Sequence, residues 1–197
     1  MILAMRRNER VYAQPNGRAV CPSCGGGVIA KCGTIVSWHW AHIGDDCDTW
    51  AEGESSWHIG WKRLFPEAWQ EVAVGNHRAG IKTPTCVIEL QNSPLDEVTI
   101  LQREAHYGNM VWVVNASHFT DNLLLRERGD YTSFRWKWPR KSWWAATKPL
   151  YFDFDDGSGD LFHVKKIHRN TPCGGWGQWV DGEFFDFVGA DHQGATA

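Results

Sequence analysis

The sequence has no apolar run near the roughly 20 residues needed to cross a bilayer. Its opening, MILAMRRNER, lacks the charged n-region, apolar core and cleavage pattern of a secretory signal. A cytoplasmic location and no membrane partner are the resulting expectations. A dominant charge is missing too: 20 Lys+Arg face 23 Asp+Glu, a formal net charge of −3. That balance does not by itself favour nucleic-acid binding, which would need a local basic patch. There is no internal repeat and no low-complexity segment.

What is present is enough apolar material, 43% of 197 residues, for one packed domain with a small appended module. Tryptophan is unusually frequent, with 13 copies. Large amphipathic rings serve mainly in core and interdomain packing. The stretch RWKWPRKSWW (135–144) also admits a stacking platform for nucleobases beside Arg135, Lys137, Arg140 and Lys141. In a reducing compartment the six cysteines point to metal binding rather than to disulfides.

Cys21-Pro-Ser-Cys24 is a two-residue knuckle that brings two thiolates to one ion, and SWHWAH then supplies His39 and His42 before Cys47. Structural zinc takes four N/S ligands in a tetrahedron. The preferred set is Cys21, Cys24, His39 and His42, with Cys47 competing for one histidine's place; Cys32 is the weaker candidate. Four ligands leave no open position for chemistry, so this zinc would be structural.

Short strands such as Thr34–Trp38 are expected in this N-terminal segment. A helix is expected to open at Thr49-Trp-Ala-Glu52, which has capping-box spacing, and to bury Trp57, Trp61, Leu64, Phe65 and Ala68. Pro66 requires it to end or kink nearby. Strands follow at 70–74, 77–82 and 86–90, joined by Gly-Asn and Thr-Pro-Thr turns. A second helix starts at Ser93-Pro94, carries an apolar stripe of Val98, Leu101 and Ala105, and stops at Gly108. MVWVV (110–114) reads as a strand buried on both faces. The order over 49–115 is therefore α-β-β-β-α-β. Farther on, DNLLLRER (121–128) suggests a short helix, and YFDFD (151–155), LFHVKK (161–166) and EFFDFV (183–188) suggest strands.

Metal-dependent phosphodiester cleavage needs oxygen ligands for Mg²⁺ or Mn²⁺, which activates water and stabilises charge on the phosphate. On this core such ligands would come from the first helix and the second and third strands. Glu54 is placed on the first helix, with His58 and Lys62 at i+4 and i+8 on one face and positioned to contact phosphate or water. Glu89 and Gln91, two apart on a strand, point to one face. Glu54, Glu89 and Gln91 could thus converge on one ion, with Glu54 and Glu89 as the magnesium ligands. A solvated helix face and a strand-end glutamate are the plain alternatives.

In order along the chain, CPSC (21–24), HWAH (39–42) with Cys47, ESSWHIGWK (54–62), HRAGI (77–81), VIELQNSPL (87–95), REAHYG (103–108) and MVWVV (110–114) resemble the competence protein CoiA-like family. The resemblance covers roughly 20–115 and extends weakly through KPLYFDFDDG (148–157). It implies an α/β (α+β) restriction-endonuclease-like αβββαβ core of the PD-(D/E)XK superfamily, a small N-terminal zinc module and a C-terminal β-rich extension. The implied division is 1–48, zinc module; 49–116, nuclease-like core; 117–190, extension; 191–197, disordered tail. It carries motif roles to Glu54, the position of Gly80, Glu89 and Gln91, the last standing where lysine is commoner. The family reads HRAD where this chain reads HRAG, so the aspartate that bridges metal and phosphate is absent at Gly80. Glu71, on the preceding strand, could reach that place only in a favourable register. The expectation is a metal-dependent DNA nuclease with weak or lost activity, or else a non-catalytic DNA- or protein-binding module. DNA is the expected partner. A protein partner in a DNA-processing or defence complex, or a second copy of the chain, is also compatible with the resemblance.

Overall fold

The computed structural model describes residues 1–35, 37–45, 47–51, 53–169 and 172–189. The fold is mixed α/β and mostly sheet, in two compact units, Met1–Lys82 and Thr83–Ala197. Their boundary falls inside the 49–116 segment. Among the described residues no helix is long and apolar enough to cross a membrane. The expected tail at 191–197 lies outside the described residues.

The first unit carries an antiparallel five-stranded sheet of β1 (Leu3–Arg6), β2 (Glu9–Tyr12), β3 (Arg18–Val20), β4 (Gly27–Lys31) and β5 (His39–His42), ordered β2-β1-β3-β4-β5. Arg7 and Asn8 both take positive φ between β1 and β2, the geometry that matches a two-residue hairpin to strand twist. Trp40 is 1% exposed against Ala4, Ala13, Cys21 and Val28, and its Nε1–H donates to Val11 O at 2.9 Å. Thr34–Trp38 is not a strand: Val36 lies outside the described residues, and Thr34 and Ile35 form a bend. Ile35 is 97% exposed, so this stretch has no apolar face to bury.

Helix α1 (Ser56–Arg63) begins later than the sequence suggests. Its N-cap is Ser55, whose hydroxyl accepts from His58 N while the His58 side chain reaches back to Ser55 N. This capping box uses histidine where glutamate is usual, whereas Glu52 lies outside the described residues. Trp57, Ile59 and Trp61 are buried, and Phe65 just beyond the helix with them; Leu64 is 43% exposed and Ala68 sits exposed in a 3-10 turn. The helix ends three residues before Pro66, which supplies the expected stop. Strands β6 (Gln70–Val74) and β7 (His77–Lys82) then form a hairpin close to the expected bounds.

In the second unit seven strands run in the order β10-β11-β14-β13-β12-β9-β8. They are β8 (Val87–Gln91), β9 (Met110–Asn115), β10 (Leu123–Glu127), β11 (Thr132–Trp136), β12 (Leu150–Asp153), β13 (Leu161–His168) and β14 (Gly174–Val180). Central β9 is parallel to both β8 and β12 and is buried at all six positions, as its continuous apolar run requires. Helix α2 (Glu97–Tyr107) connects β8 to β9. It is capped by Asp96, not Ser93, through Thr99 N at 2.8 Å, and ends at Gly108 with φ 66°. Its buried face is Ile100, Arg103, Glu104 and Tyr107; Val98 and Leu101 are 62% and 48% exposed, and Ala105 is exposed too. The helix therefore turns the opposite side inward, because two buried charges find partners there.

Residues 121–128 are not a helix. A 3-10 segment, Ser117–Asn122, leads into β10, where pairing with β11 decides the ambiguous Leu123–Leu125 run. EFFDFV is not a strand but α3 (Glu183–Phe187), which places Phe184 and Val188 inward at i,i+4 while Phe187 stays exposed. β14 is legible only in three dimensions. A Cβ at Gly174, Gly175 or Gly177 would collide with the carbonyl oxygens of Phe134, Lys166 and His163 respectively, so these glycines permit close strand approach rather than marking a turn.

Candidate metal centre and acidic positions

Cys21 and Cys24 sit on a tight knuckle closed by Cys21 N→Gly26 O at 2.8 Å and Gly25 N→Cys21 O at 2.9 Å, with Gly25 at φ 71°. Ser23 N and Gly26 N donate to the sulfurs of Cys21 and Cys24. His42 closes β5, and Cys47 comes from the loop after it. The ligand atoms of Cys21, Cys24, His42 and Cys47 lie within 4.8 Å of one another.

Their spacing fits zinc. A tetrahedron with Zn–S of about 2.3 Å and Zn–N of about 2.05 Å has S–S edges of about 3.8 Å and S–N edges of about 3.5 Å. Cys21 Sγ lies 3.8 Å from Cys47 Sγ, and Cys24 Sγ lies 3.5 Å from His42 Nε2. Burial works against the Cys21 thiolate, yet the N–H groups of Cys24 and Ser23 and the neighbouring thiols hold its pKa below the ordinary value. Burial, and then the crowding of Cys24 and Cys21, push Cys47 up to about 12. Three sulfurs packed this closely need a cation to be thiolates together, and four ligands leave no open position.

His39 is not in this cluster; its Nδ1 faces Ser37 O at 2.8 Å. The reason is parity. His39 and His42 are the ends of one strand, and residues three apart on a strand face opposite ways, whereas on a helix the same spacing would bring them together. Cys47 takes the place, and Cys32 packs against the apolar cluster around Trp40.

Asp48, next to Cys47, carries a role that the sequence reading did not assign. Its carboxylate accepts from Trp50 N at 2.9 Å, His77 Nδ1 at 2.8 Å and Arg78 N at 2.7 Å, and Trp50 stacks on His77. Burial opposes its ionisation, but these bonds outweigh it and hold the carboxyl below its usual range. Asp48 thereby fastens the metal-bearing loop to β7. Its position directly after a ligand was the available signal.

Glu54 precedes the N-cap and so is not on the helix. It nevertheless meets Lys62, whose Nζ lies 2.6 Å from Glu54 Oε1 and 2.9 Å from Glu71 Oε1. Lys62 is 5% exposed and does not project to solvent, and His58 is engaged in the helix cap. Glu54 Oε2 is buried without a hydrogen-bond partner. Glu71 has φ 50° and also accepts from Ile2 N and Leu3 N at 2.9 Å. Burial would raise its pKa, but Lys62 above all drives it far below the carboxylate range. Burial would likewise lower Lys62, but Glu71 and Glu54 raise it. Pairing is regular at Gln70↔Ile81 and Val72↔Ala79, so Glu71 and Gly80 face each other across the break.

In the second unit Glu89 is 6% exposed and takes Arg103 Nη1 at 2.5 Å. The same nitrogen lies 3.5 Å from Gln91 Oε1, and Gln91 Nε2 donates to Ser93 O at 2.7 Å. Arg103 received no role from the sequence because only its helix phase reveals that it points inward. Glu104 beside it is structural: it accepts from Trp112 Nε1, Thr147 N and Oγ1, and Lys148 N. The 135–144 stretch does not form one stacking platform. Trp136 and Trp143 are buried, Arg140 lies over Phe119 at 4.7 Å, and Trp138 alone of its tryptophans is strongly exposed, at 69%.

No curated protein and no solved structure matches the chain significantly. Residues 5–49 match the family model described as competence protein CoiA, N-terminal domain. That span holds the knuckle, His42 and Cys47, so the likeness covers the metal-site segment of the chain.

Proposed function

We propose that this CoiA-like chain is built on a metal-dependent DNA nuclease architecture whose hydrolytic activity is weak or lost. Supporting it are the α-β-β-β-α-β element order from α1 to β9 and the CoiA N-terminal domain match. Motif roles fall to Glu54 and the Gly80 position in the first unit, and to Glu89 and Gln91 in the second. The observation that carries the loss of activity is the commitment of these acids to buried cations: Glu54 and Glu71 to Lys62, and Glu89 to Arg103. An ammonium or guanidinium already in contact with a carboxylate must be displaced before Mg²⁺ or Mn²⁺ can bind there. The zinc centre stabilises the N-terminal module and supplies no chemistry.

The same ion pairs favour a second reading, a non-catalytic module that binds DNA on a retired nuclease frame. The two separate in one experiment. The protein and Gly80→Asp are incubated with single- and double-stranded DNA and Mg²⁺ or Mn²⁺. Little cleavage by the parent and metal-dependent cleavage by Gly80→Asp are expected. Robust cleavage by the parent would overturn the impairment. Absence of cleavage by Gly80→Asp in every condition would sink the nuclease reading; a salt-sensitive gel shift without cleavage would leave the binding module in its place.

A further inference from the structure

One sheet face of the second unit carries positive charge that its net-acidic chain does not announce. Arg126↔Ser133 and Leu124↔Arg135 pair across β10 and β11, Ser133↔Trp176 across β11 and β14, and Lys166↔Trp176 and His168↔Gly174 across β13 and β14. Directly opposed residues share a face, so Arg126, Arg135, Trp176, Lys166 and His168 stand together, and Arg128 continues the alternation just beyond β10. The other face is core: Thr132, Phe134 and Trp136 are 1–3% exposed.

This face forms a groove of about 410 Å³ lined by Arg126, Arg128, Arg135, His168, Tyr131 and Trp176 among others, with no carboxylate in its wall. None of the three arginines forms an ion pair among the described residues. Tyr131 and Trp176, 43% and 36% exposed, meet edge to face at 5.9 Å. Gly174 leaves the floor open between Arg135 and His168. Across Lys166, a second hollow of about 410 Å³ adds Lys148, Lys165 and Arg169 beside Trp144, again with no acid in its lining. Cations without local counter-charges cost self-repulsion, which an anionic polymer would relieve.

We propose that this groove binds single-stranded nucleic acid, with the arginines on successive phosphates and Trp176, braced by Tyr131, stacked on a base. Arg126 and Arg128 are two residues apart, a step of roughly 6.6 Å along the strand direction, suited to an extended backbone. An exposed ring beside guanidinium groups selects unpaired bases, because a duplex keeps its base faces stacked internally. The site is separate from the acidic positions and does not rest on the hydrolytic reading.

The test is fluorescence anisotropy with labelled oligo(dT), oligo(U) and a duplex of equal length, without added Mg²⁺ or Mn²⁺, over a salt series. Binding to one or both single strands, tighter than to duplex, is expected. Combining Arg126→Ala, Arg128→Ala and Arg135→Ala should flatten the slope of log K against log salt by about 2, from roughly 0.7 per phosphate contact. Trp176→Ala should weaken binding roughly 5- to 150-fold, whereas Trp138→Ala, outside the groove, should leave it unchanged. All variants are at exposed positions, and thermal melts confirm folding. No binding at low salt, preference for duplex, or binding indifferent to the arginine and Trp176 changes would each overturn the proposal. So would equal competition by polyglutamate.

Discussion

Lys62→Met tests the buried charges most directly, since it removes an ammonium and keeps nearly the same length. The side chains of Lys62, Glu54 and Glu71 are 6%, 7% and 1% exposed, so water can do little for charges left behind. Removing one partner of a buried pair typically costs about 3–5 kcal/mol. For a chain of this size that corresponds to a fall in Tm of about 6–20 °C. In the parent, Glu71 has a depressed pKa, so its contribution is present above the unfolded value near 4.3 and is lost as pH falls below it. Lys62 has a raised pKa, so its contribution is present below about 10.4 and is lost as pH rises beyond. Between pH 5 and 10 these two groups therefore leave parental stability flat.

Lys62→Met removes the largest charge that holds the Glu71 carboxyl down. Burial then weighs more heavily against the ionised Glu71, opposed only by the Met1 ammonium, Arg78 and the Leu3 amide, and the deficit against the parent grows as pH climbs through the carboxylate range. The Tm deficit against the parent should be smaller at pH 5 than at pH 8. Adding Glu71→Gln to Lys62→Met should recover part of the loss, a coupling that a double-mutant cycle reads. A deficit below about 1 kcal/mol, or one equal at both pH values, would refute the view that Lys62 neutralises these acids.

Metal analysis should find about one zinc per chain; Cys47→Ser should bring it well below one and lower Tm, while His39→Ala should hold both. Zinc retention by Cys47→Ser with loss in His39→Ala would reverse that ligand assignment. Glu104→Ala should cost at least about 3 kcal/mol in urea unfolding, because it strands the donors of Trp112, Thr147 and Lys148; a loss near zero would deny that Glu104 organises this region. Gly80→Asp should melt lower than the parent in metal-free buffer and regain Tm with millimolar Mn²⁺, while the parent gains nothing from Mn²⁺.

The strands at 70–74 and 77–82 and the buried β9 were legible because their signals are local: alternation, turn residues and a continuous apolar run. The metal knuckle was legible for the same reason. Elsewhere the deciding partner is distant in sequence. Leu123–Leu125 becomes a strand because β11 pairs with it, and Gly174–Gly177 is a strand whose glycines are set by neighbouring carbonyls. The face of α2 was misread because its inward positions include Arg103 and Glu104, polar residues that only tertiary partners make buriable. His39 stands outside the metal cluster because 39–42 is a strand whose ends face opposite ways, which the HxxH spacing does not reveal. Lys62 looked like a phosphate contact because sequence shows a cation near an acid but not that both are enclosed.

The glycine at position 80 and the enclosed lysine are best understood together. Glu71 stands opposite Gly80 at the break in β6–β7 pairing, in a left-handed conformation at φ 50°, and a non-glycine residue holds that conformation at a cost. Its carboxylate offsets the cost by binding Lys62 and the Ile2 and Leu3 amides. Glu54 and Glu71 face two ammonium groups, Lys62 and the Met1 N-terminus 3.4 Å from Glu54 Oε1, so the buried cluster is balanced. An aspartate at position 80 would set a third carboxylate against these two ammonium groups, leaving one buried negative charge. That is a site asking for a divalent cation. With glycine there, Lys62 and the Met1 ammonium balance the two carboxylates, so glycine at position 80 and the enclosure of Lys62 together leave no demand for Mg²⁺ or Mn²⁺.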